Sequence, residues 1–387
     1  MIPSKIRWWL PLVVAVVFWG KWTGVSSFTS AGEKSEKSQR KRYVVNRQGD
    51  VPHPVVAVAG VTAWPNLTLL QDGSILASLF NKPSHGEVAG EVECWVSSDS
   101  GKTWARRGVP IWHQPNTNRM NHAVGLANNG DLLAMISGWS DLPMAGQASQ
   151  HPGPFRAAVL DPVVCRSRDV GRTWTTDFKS LPARCPDDGV TIPFGDIVPG
   201  ADGELRVAVY SAKGIVGLKP GSELVFVYRS HDDGLTWSDP VSLSAPHHRN
   251  ETAILHLGRG HWIAAARYHN LALFRSEDDS QSWNFQALVT GKSEFPGHLI
   301  RLRDGRILLT HGNRTEDRGV DARFSADEGV TWSQSRRVMD FQGDGGYPSS
   351  VQLGDGQILT AYYAKSITGY DSYHMGVVTW DPNKLSN

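Results

Sequence analysis

Glutamate, tyrosine and arginine residues stand at matching positions of a repeated hairpin. Glu251 and Tyr347 each lie nine residues before the glycine of a hairpin turn, while Arg267 and Arg314 lie seven and nine residues after such a glycine. Because side chains alternate between the two faces of a strand, offsets of equal parity point to one side. A carboxylate can accept the proton of a neighbouring hydroxyl group, and arginine can bind a carboxylate through two parallel hydrogen bonds. These four side chains are therefore the first candidates for a functional site.

Six hairpins carry these positions, each a glycine turn between two short apolar segments, as in LLQDGSILASLF and VQLGDGQILTAYY. The turn glycines are Gly73, Gly130, Gly203, Gly260, Gly305 and Gly356. If the strand before each turn faces a common centre, one level of that centre is formed by Trp64, Asn121, Phe194, Glu251, Pro296 and Tyr347. Strand alternation predicts that Arg119 and Arg249, two residues earlier on their strands, face the same side.

A second repeat, of the form SxDxGxTW, follows five of the six hairpins. Its copies are SSDSGKTW, SRDVGRTW, SHDDGLTW, SEDDSQSW and SADEGVTW, with aspartates at 99, 169, 232, 278 and 327. Aspartate accepts hydrogen bonds from backbone N–H groups, glycine supplies a positive φ, and tryptophan covers the apolar side of the turn. Because an active site needs one such aspartate rather than five, we interpret these aspartate boxes as structural turns.

The two repeats together predict the fold class. A hairpin followed by a box corresponds to four antiparallel strands, so six units predict an all-β fold, a six-bladed β-propeller over residues 50–387. The sixth hairpin has no box after it. We therefore expect the segment VVAVAG at 55–60 to pair with the C-terminal strand around MGVVTW and complete the last blade.

The N-terminal region differs from the rest of the chain. Residues 1–31 combine a basic start with the apolar segment WWLPLVVAVVFWG, which predicts a signal peptide or, as the alternative, a signal anchor. Residues 32–49 are a charged linker. We expect a secreted or periplasmic protein that meets the membrane only through such an anchor. The formal net charge of +1 gives no indication of nucleic-acid binding.

Cysteine and histidine residues form no metal-binding pattern. The sequence contains neither a CxxC nor an HExxH motif, so we expect no metal and no cofactor. Cys165 and Cys185 flank one insertion and could form a disulfide in an oxidising compartment. Such a bond would leave Cys94 as a buried thiol.

The boxes, together with HRNETAILHLGRGHWIAAARYHN, HLIRLRDGRILLTHGNR and GYPSSVQLGDGQILTAYY, resemble the sialidase (neuraminidase) superfamily over nearly all of the chain after residue 50. The resemblance implies that Tyr347 is a catalytic nucleophile and Glu251 its base, and that Arg267 and Arg314 bind the carboxylate of the substrate. The residue types suit this chemistry, because a substrate carboxylate repels a carboxylate nucleophile but not a tyrosine hydroxyl.

Two positions depart from the pattern of that superfamily. Its first arginine would stand beside the proline of AWPNLTLL, where this chain has Ala63 and Trp64, and Arg119 is the candidate replacement. Its acid/base aspartate belongs in the loop after the first hairpin, where His85 is the best candidate and Glu87 the next. A histidine can transfer protons near neutral pH.

These observations predict an exo-glycosidase that removes a terminal acidic sugar, sialic acid or a similar one, from a glycan or oligosaccharide. Arg249 and Asn121 complete the set of expected substrate-binding residues. One alternative is a hydrolase or lyase acting on uronate-containing saccharides, which His85 and the missing arginine favour. The other is a carbohydrate-binding propeller without catalysis.

Overall fold

The structure, a computed structural model, describes residues 53–62, 64–84, 87–143, 157–213, 223–243 and 248–385. The predicted signal segment and linker, residues 1–49, lie outside these ranges, as does His85. Within them, no helix has the length and apolar character needed to cross a membrane.

Nearly all of the regular structure consists of β-strands. In chain order they are β1 (Val55–Ala59), β2 (Asn66–Leu69), β3 (Ile75–Phe80), β4 (Val92–Ser97), β5 (Ala105–Gly108), β6 (Asn121–Leu126), β7 (Leu132–Ser140), β8 (Ala158–Ser167), β9 (Thr175–Asp177), β10 (Val190–Pro199), β11 (Leu205–Ala212), β12 (Val225–Ser230), β13 (Ser238–Ser242), β14 (Thr252–Gly258), β15 (His261–Arg267), β16 (Leu271–Ser276), β17 (Asn284–Leu288), β18 (Glu294–Arg301), β19 (Ile307–Asn313), β20 (Gly319–Ser325), β21 (Arg336–Asp340), β22 (Gln342–Gln352), β23 (Ile358–Ser366) and β24 (His374–Trp380). A short helix, α1, spans Pro382–Leu385.

The strands form six antiparallel units of four. Blades 1 to 5 are β2–β5, β6–β9, β10–β13, β14–β17 and β18–β21, and blade 6 has the order β22, β23, β24, β1. The first strands of blades 2 and 3 also pair in parallel, with Ala123 opposite Gly195. Each inner strand contacts the inner strands of the neighbouring blades, and β22 contacts β2, so the ring closes. The molecule is an all-β propeller, the fold class that the two repeats predict.

Blade 6 contains strands from both ends of the described chain. Strand β1 pairs antiparallel with β24, placing Val55 opposite Val377 and Ala59 opposite His374. This confirms the expected pairing of VVAVAG with the C-terminal strand. Closure of this kind leaves the ring without an open edge between its first and last units.

The hydrophobic core lies between adjacent blades. Leu76 of blade 1 packs in one cluster with Leu132 of blade 2, and Leu308 of blade 5 packs in another with Tyr362 of blade 6. All four side chains are fully buried. Burial of these large apolar side chains between sheets provides the main favourable free energy of folding and fixes the inner strands around the centre.

The aspartate boxes are turns, as predicted. In the fifth box, Asp327 accepts hydrogen bonds from the backbone N–H of Thr331 at 2.8 Å and from its hydroxyl at 2.5 Å. The Ser325 hydroxyl donates to Asp327 and accepts from the Gly329 N–H, both at 2.8 Å. The indole N–H of Trp332 donates to the carbonyl of Gly329 at 3.0 Å. The recurring Ser, Asp, Thr and Trp side chains of the motif thus bond within the turn, which supports a structural role for it.

The fourth box, SEDDSQSW, departs from the SxDxGxTW pattern, and this departure has a structural explanation. Ser280 stands where the other boxes have glycine and adopts a φ of 62°. Its hydroxyl accepts a hydrogen bond at 3.2 Å from Nε of Arg206, a fully buried side chain of blade 3. The same arginine donates to Asp202 and Asp279 at 2.8 and 2.9 Å. The serine at this position therefore provides a hydrogen-bond partner for the buried Arg206 guanidinium at the junction of blades 3 and 4.

The cysteines do not form the disulfide that the sequence allows. Cys94, Cys165 and Cys185 are all buried free thiols. Cys165 packs between blades 1 and 2, whereas Cys185 belongs to the apolar cluster between blades 2 and 3. Burial raises the pKa of the Cys165 thiol to about 12, so this group is unreactive at neutral pH.

Candidate active site

A cavity of about 310 Å³ lies among the inner strands of the ring. This volume falls within the range of small-molecule sites, which is about 300–1,000 Å³. All six positions that lie nine residues before a turn glycine line it: Trp64, Asn121, Phe194, Glu251, Pro296 and Tyr347. Each comes from a different blade. The offset count from the sequence therefore locates one complete level of the cavity wall.

Tyr347 and Glu251 form a close pair in this wall. The Tyr347 hydroxyl lies 2.7 Å from each carboxylate oxygen of Glu251. Tyr347 has a φ of 52°, and the register of β22 against β23 shifts between Gly346 and Ser349. Such a bulge redirects a side chain out of the regular alternation of a strand. Burial raises the pKa of the Tyr347 hydroxyl, against the lowering effect of Arg267, so the group is a neutral phenol at pH 7.

Arg267, the last residue of β15, contacts both members of this pair. Its Nη1 donates to the Tyr347 hydroxyl at 2.7 Å and forms an ion pair with Glu251. The guanidinium lies 4.6 Å from the centre of the Phe295 ring. Burial lowers the pKa of Arg267, but the negative charge of the Glu251 carboxylate raises it further, and the net shift is upward. The site therefore holds a permanent cation beside the tyrosine oxygen.

Arg314, directly after β19, supplies a second cation. Its Nε donates to the carbonyl of Gly345 at 3.0 Å, and its Nη2 donates to the Tyr363 hydroxyl at 3.2 Å and lies 3.8 Å from Asp344. Like Arg267, it lies over the Phe295 ring, here at 5.7 Å. The side chains of the two arginines are 20% and 22% exposed, so both can still contact a ligand.

Comparison with known proteins places the chain in a family. The family model of the BNR repeat-like domain matches residues 73–360, most of the described propeller. The chain belongs to the BNR repeat-like domain family. A search of curated proteins finds no match.

Solved structures share the fold of this BNR repeat-like chain. A protein of unknown function from Dyadobacter fermentans is 21% identical, with a TM-score of 0.72, and the match covers 85% of this chain and 97% of that one. A mutant of the NanB sialidase from Streptococcus pneumoniae is 14% identical, with a TM-score of 0.68 over 87% and 71% of the two chains. The Trypanosoma rangeli sialidase is 18% identical, with a TM-score of 0.60 over 85% and 56%. At these identities the likeness establishes a sialidase-like fold.

The wall on the side of blades 1 to 3 contains the aromatic side chains of Trp64, Phe194 and Tyr210. The rings of Trp64 and Phe194 each lie 6.2 Å from the Tyr347 ring. Asn121 donates to the Tyr210 hydroxyl at 3.4 Å. Trp64 has a φ of 42° and is a buried part of the wall, at the position where the resemblance to sialidases implies an arginine.

The wall contains further polar residues that were not anticipated from the sequence, and four of them carry a phenol or a carboxylate. They are Tyr210, Glu223, Asp344 and Tyr363. Both tyrosines lie seven residues after a turn glycine, the offset of Arg267, so the same count identifies them. Glu223 and Asp344 come from segments that neither repeat marks, and no sequence signal points to them.

Three other sequence candidates have different surroundings, and none of them is among the described residues that line the cavity. The buried Arg119 donates to the carbonyl of Asp161 at 3.2 Å. Arg249 donates to Asn270 at 3.3 Å. Glu87 is exposed and accepts from the hydroxyl of Ser84 at 2.8 Å. Arg119 and Arg249 both precede their strands, so the alternation that predicted their direction does not extend to them.

A hydrogen-bonded network crosses the centre between the inner strands. Asp196 of β10 accepts from Asn66 of β2 at 2.7 Å and lies 2.9 Å from Nε2 of His298 on β18. The Ser350 N–H on β22 donates to Nδ1 of the same imidazole at 3.2 Å. In this arrangement Nδ1 of His298 accepts a hydrogen bond and Nε2 faces the Asp196 carboxylate. In the part of the chain that the structure describes, no cluster of His, Cys, Asp and Glu has the arrangement of a metal site.

Proposed function

We propose that this protein is a sialidase-like exo-glycosidase that removes a terminal acidic sugar from a glycan, with Tyr347 as the nucleophile. The observation that carries the proposal is the position of the Tyr347 hydroxyl, 2.7 Å from both oxygens of Glu251. A buried phenol is a weak nucleophile until a neighbouring base removes its proton. Glu251 is placed to do so, while Arg267 stabilises the negative charge that develops on the tyrosine oxygen.

The reaction then proceeds in two displacements. Tyr347 Oη forms a bond to the anomeric carbon, its proton passes to Glu251, and the bond to the leaving oxygen breaks as that oxygen takes a proton from an acid. Water next attacks the anomeric carbon and gives a proton to the conjugate base of that acid. The bond to Tyr347 breaks, and Glu251 returns the proton to the phenolate. The sugar leaves with retained configuration, as expected for two displacements at one carbon.

Arg267 and Arg314 supply the binding site for the sugar carboxylate in this proposal. Both guanidinium groups are partly exposed in the cavity and are held over the same Phe295 ring. Arginine presents paired N–H groups that match the geometry of a carboxylate. We propose His85 as the acid that protonates the leaving oxygen, with Glu87 as the next candidate.

A second candidate function is the cleavage of uronate-containing saccharides. Trp64, rather than an arginine, forms the wall beside Tyr347, and two arginines line the described cavity instead of the three that the sialidase pattern implies. An indole ring provides a stacking surface for a sugar ring rather than a cation for a carboxylate. A wall with two arginines and an indole suits an acidic sugar that forms fewer ion pairs with the protein than sialic acid forms in the sialidase pattern.

One experiment separates the candidates. The protein is incubated with a fluorogenic sialoside and with uronate-terminated oligosaccharides, and Tyr347→Phe serves as the matched variant. Product release from the sialoside by the wild type but not by Tyr347→Phe supports the first function. Product release from the uronate-terminated oligosaccharides but not from the sialoside supports the second. Binding of an acidic sugar without any product would overturn both and leave a carbohydrate-binding propeller.

The basic start and short apolar segment of residues 1–31 support export from the cytoplasm, which would bring the protein to extracellular or periplasmic glycans. Intact-mass measurement of the protein from its native host tests this. A signal peptide predicts the loss of about 25–35 residues. Recovery of the full chain in the membrane fraction would instead support the anchor.

A further inference from the structure

Glu223 is a buried carboxylate in the cavity wall for which the proposed mechanism has no use. It precedes β12 in blade 3 and is 7% exposed. Its backbone is fixed, because its carbonyl accepts from the Arg249 N–H at 3.2 Å and the adjacent Leu224 exchanges hydrogen bonds with Ser211. This fixed backbone position places Glu223 in the cavity wall.

The carboxylate of Glu223 has no hydrogen-bond or ion-pair partner among the residues that the structure describes. Arg249, whose backbone N–H bonds to the Glu223 carbonyl, directs its guanidinium to Asn270 and over the Tyr268 ring. The two arginines of the cavity are engaged elsewhere: Arg267 with Glu251, and Arg314 beside Asp344. A carboxylate that is largely removed from water is stabilised by a hydrogen-bond donor or a cation.

The charge balance of the described cavity wall also indicates that Glu223 has no cationic partner. Its carboxylates are Glu223, Glu251 and Asp344, and its arginines are Arg267 and Arg314. Glu223 is the carboxylate left without a cation. A ligand that brings only a carboxylate to the arginines would increase the excess of negative charge in a site of low dielectric constant. A ligand that also carries a cation would compensate this excess of negative charge.

We propose that Glu223 is a specificity-determining residue that binds an ammonium group, so that the preferred ligand is a zwitterionic acidic sugar with a free amine. The inference rests on the proposed function, since it takes the carboxylate of that sugar to bind at Arg267 and Arg314. An ammonium forms a charge-assisted hydrogen bond to Glu223 and compensates its charge. An N-acetylated amine provides one neutral donor and no charge, and it therefore leaves the carboxylate uncompensated.

Two ligands that differ in this one group test the proposal. They are the unsaturated glycal of neuraminic acid, which carries a carboxylate and a free amine, and its N-acetylated form. Isothermal titration calorimetry at pH 7 with the full chain measures both dissociation constants. We expect the free amine to bind about tenfold more tightly or better, the scale of a charge-assisted contact.

Variants assign the preference to one side chain. Glu223→Gln keeps the size of the side chain and should abolish the preference, whereas Glu277→Gln, which removes an exposed carboxylate outside the cavity, should retain it. Equal or tighter binding of the N-acetylated ligand by the wild type overturns the proposal, and so does a preference that persists in a folded Glu223→Gln protein. If neither glycal binds, the acidic-sugar function itself fails, which is a distinct result.

Discussion

Tyr347 and Glu251 are 96 residues apart in the chain, yet the hydroxyl of one lies 2.7 Å from both oxygens of the other. They come from β22 of blade 6 and from the residue before β14 of blade 4. Blade 5 separates them along the ring, so their contact spans the cavity rather than one blade-to-blade junction. A contact of this kind depends on correct closure of the whole ring, and it links the fold directly to the proposed chemistry.

The first prediction concerns this pair. Tyr347→Phe removes the hydroxyl but keeps the ring that packs against Trp64 and Phe194. If the hydroxyl is the nucleophile, turnover should fall by about two orders of magnitude or more. Binding of an acidic glycal should persist through the arginines, as measured by calorimetry. Full turnover in a pure preparation of this variant would exclude the tyrosine from the mechanism.

The second prediction concerns the substrate carboxylate. Arg314→Ala should weaken binding of an acidic ligand by about 1.5–3 kcal/mol, or about 10- to 150-fold, because a hydrogen bond to a charged group is lost. The matched control is Arg336→Ala, which removes an exposed arginine on β21 outside the cavity lining. Titration calorimetry with the same glycal compares both variants. Equal affinities for the wild type and Arg314→Ala would remove this residue from the binding site.

Site residues could be predicted from the sequence only where they lie on the repeated hairpins. Counting from the turn glycines identified Glu251, Tyr347 and Arg267, because hairpins of equal length bring equal offsets to one level. The same count failed for Arg119 and Arg249, which lie two and three residues before β6 and β14, whereas Glu251 directly precedes β14. Outside a strand the backbone no longer alternates, and the direction of a side chain depends on local tertiary contacts.

Other features of the site have no local sequence signal. Glu223 reaches the cavity from the start of the third strand of its blade, and only the folded arrangement of blades 3 and 4 brings it there. The bulge that directs Tyr347 into the cavity is also invisible as a pattern, although Gly346, with a φ of 109°, marks the place where it occurs. The aspartate boxes were predictable in detail because every hydrogen bond of that turn is local.

The third prediction concerns the acid. If His85 protonates the leaving oxygen, activity should depend on a group that titrates near the histidine value of about 6.5 rather than near a carboxylate value of about 4. His85→Ala should cost about a hundredfold on a substrate with a poor leaving group and much less on an activated aryl glycoside. The pH profiles of both proteins on both substrates provide the measurement. Equal losses of activity on the two substrates would exclude His85 as the acid and leave Glu87 as the next candidate.

The fourth prediction concerns the network that crosses the centre. Asp196→Ala removes the acceptor shared by Asn66 and His298, so that one N–H of the buried Asn66 amide loses its acceptor while the amide keeps its bond to the Gly195 carbonyl. The free energy of unfolding should fall by about 1–3 kcal/mol, the usual cost of such a group. Urea denaturation of this variant beside Asp371→Ala, an exposed aspartate, measures the difference. An unchanged midpoint for Asp196→Ala would show that the network contributes nothing to stability.

The fifth prediction concerns the acid stability of the boxes. Hydrogen bonds from the side chain and backbone of Thr331 lower the pKa of Asp327 from 3.8 to about 2. A carboxylate with a depressed folded pKa stabilises the protein above its unfolded pKa, and this contribution is lost as the pH falls through the folded value. Asp327→Asn should therefore lower the melting temperature most above about pH 4, and the difference from the wild type should shrink towards pH 2. Melting curves from pH 2 to pH 6, with Asp371→Asn as the exposed control, test this. A difference that stays constant with pH would mean that the charge of Asp327 does not stabilise the turn.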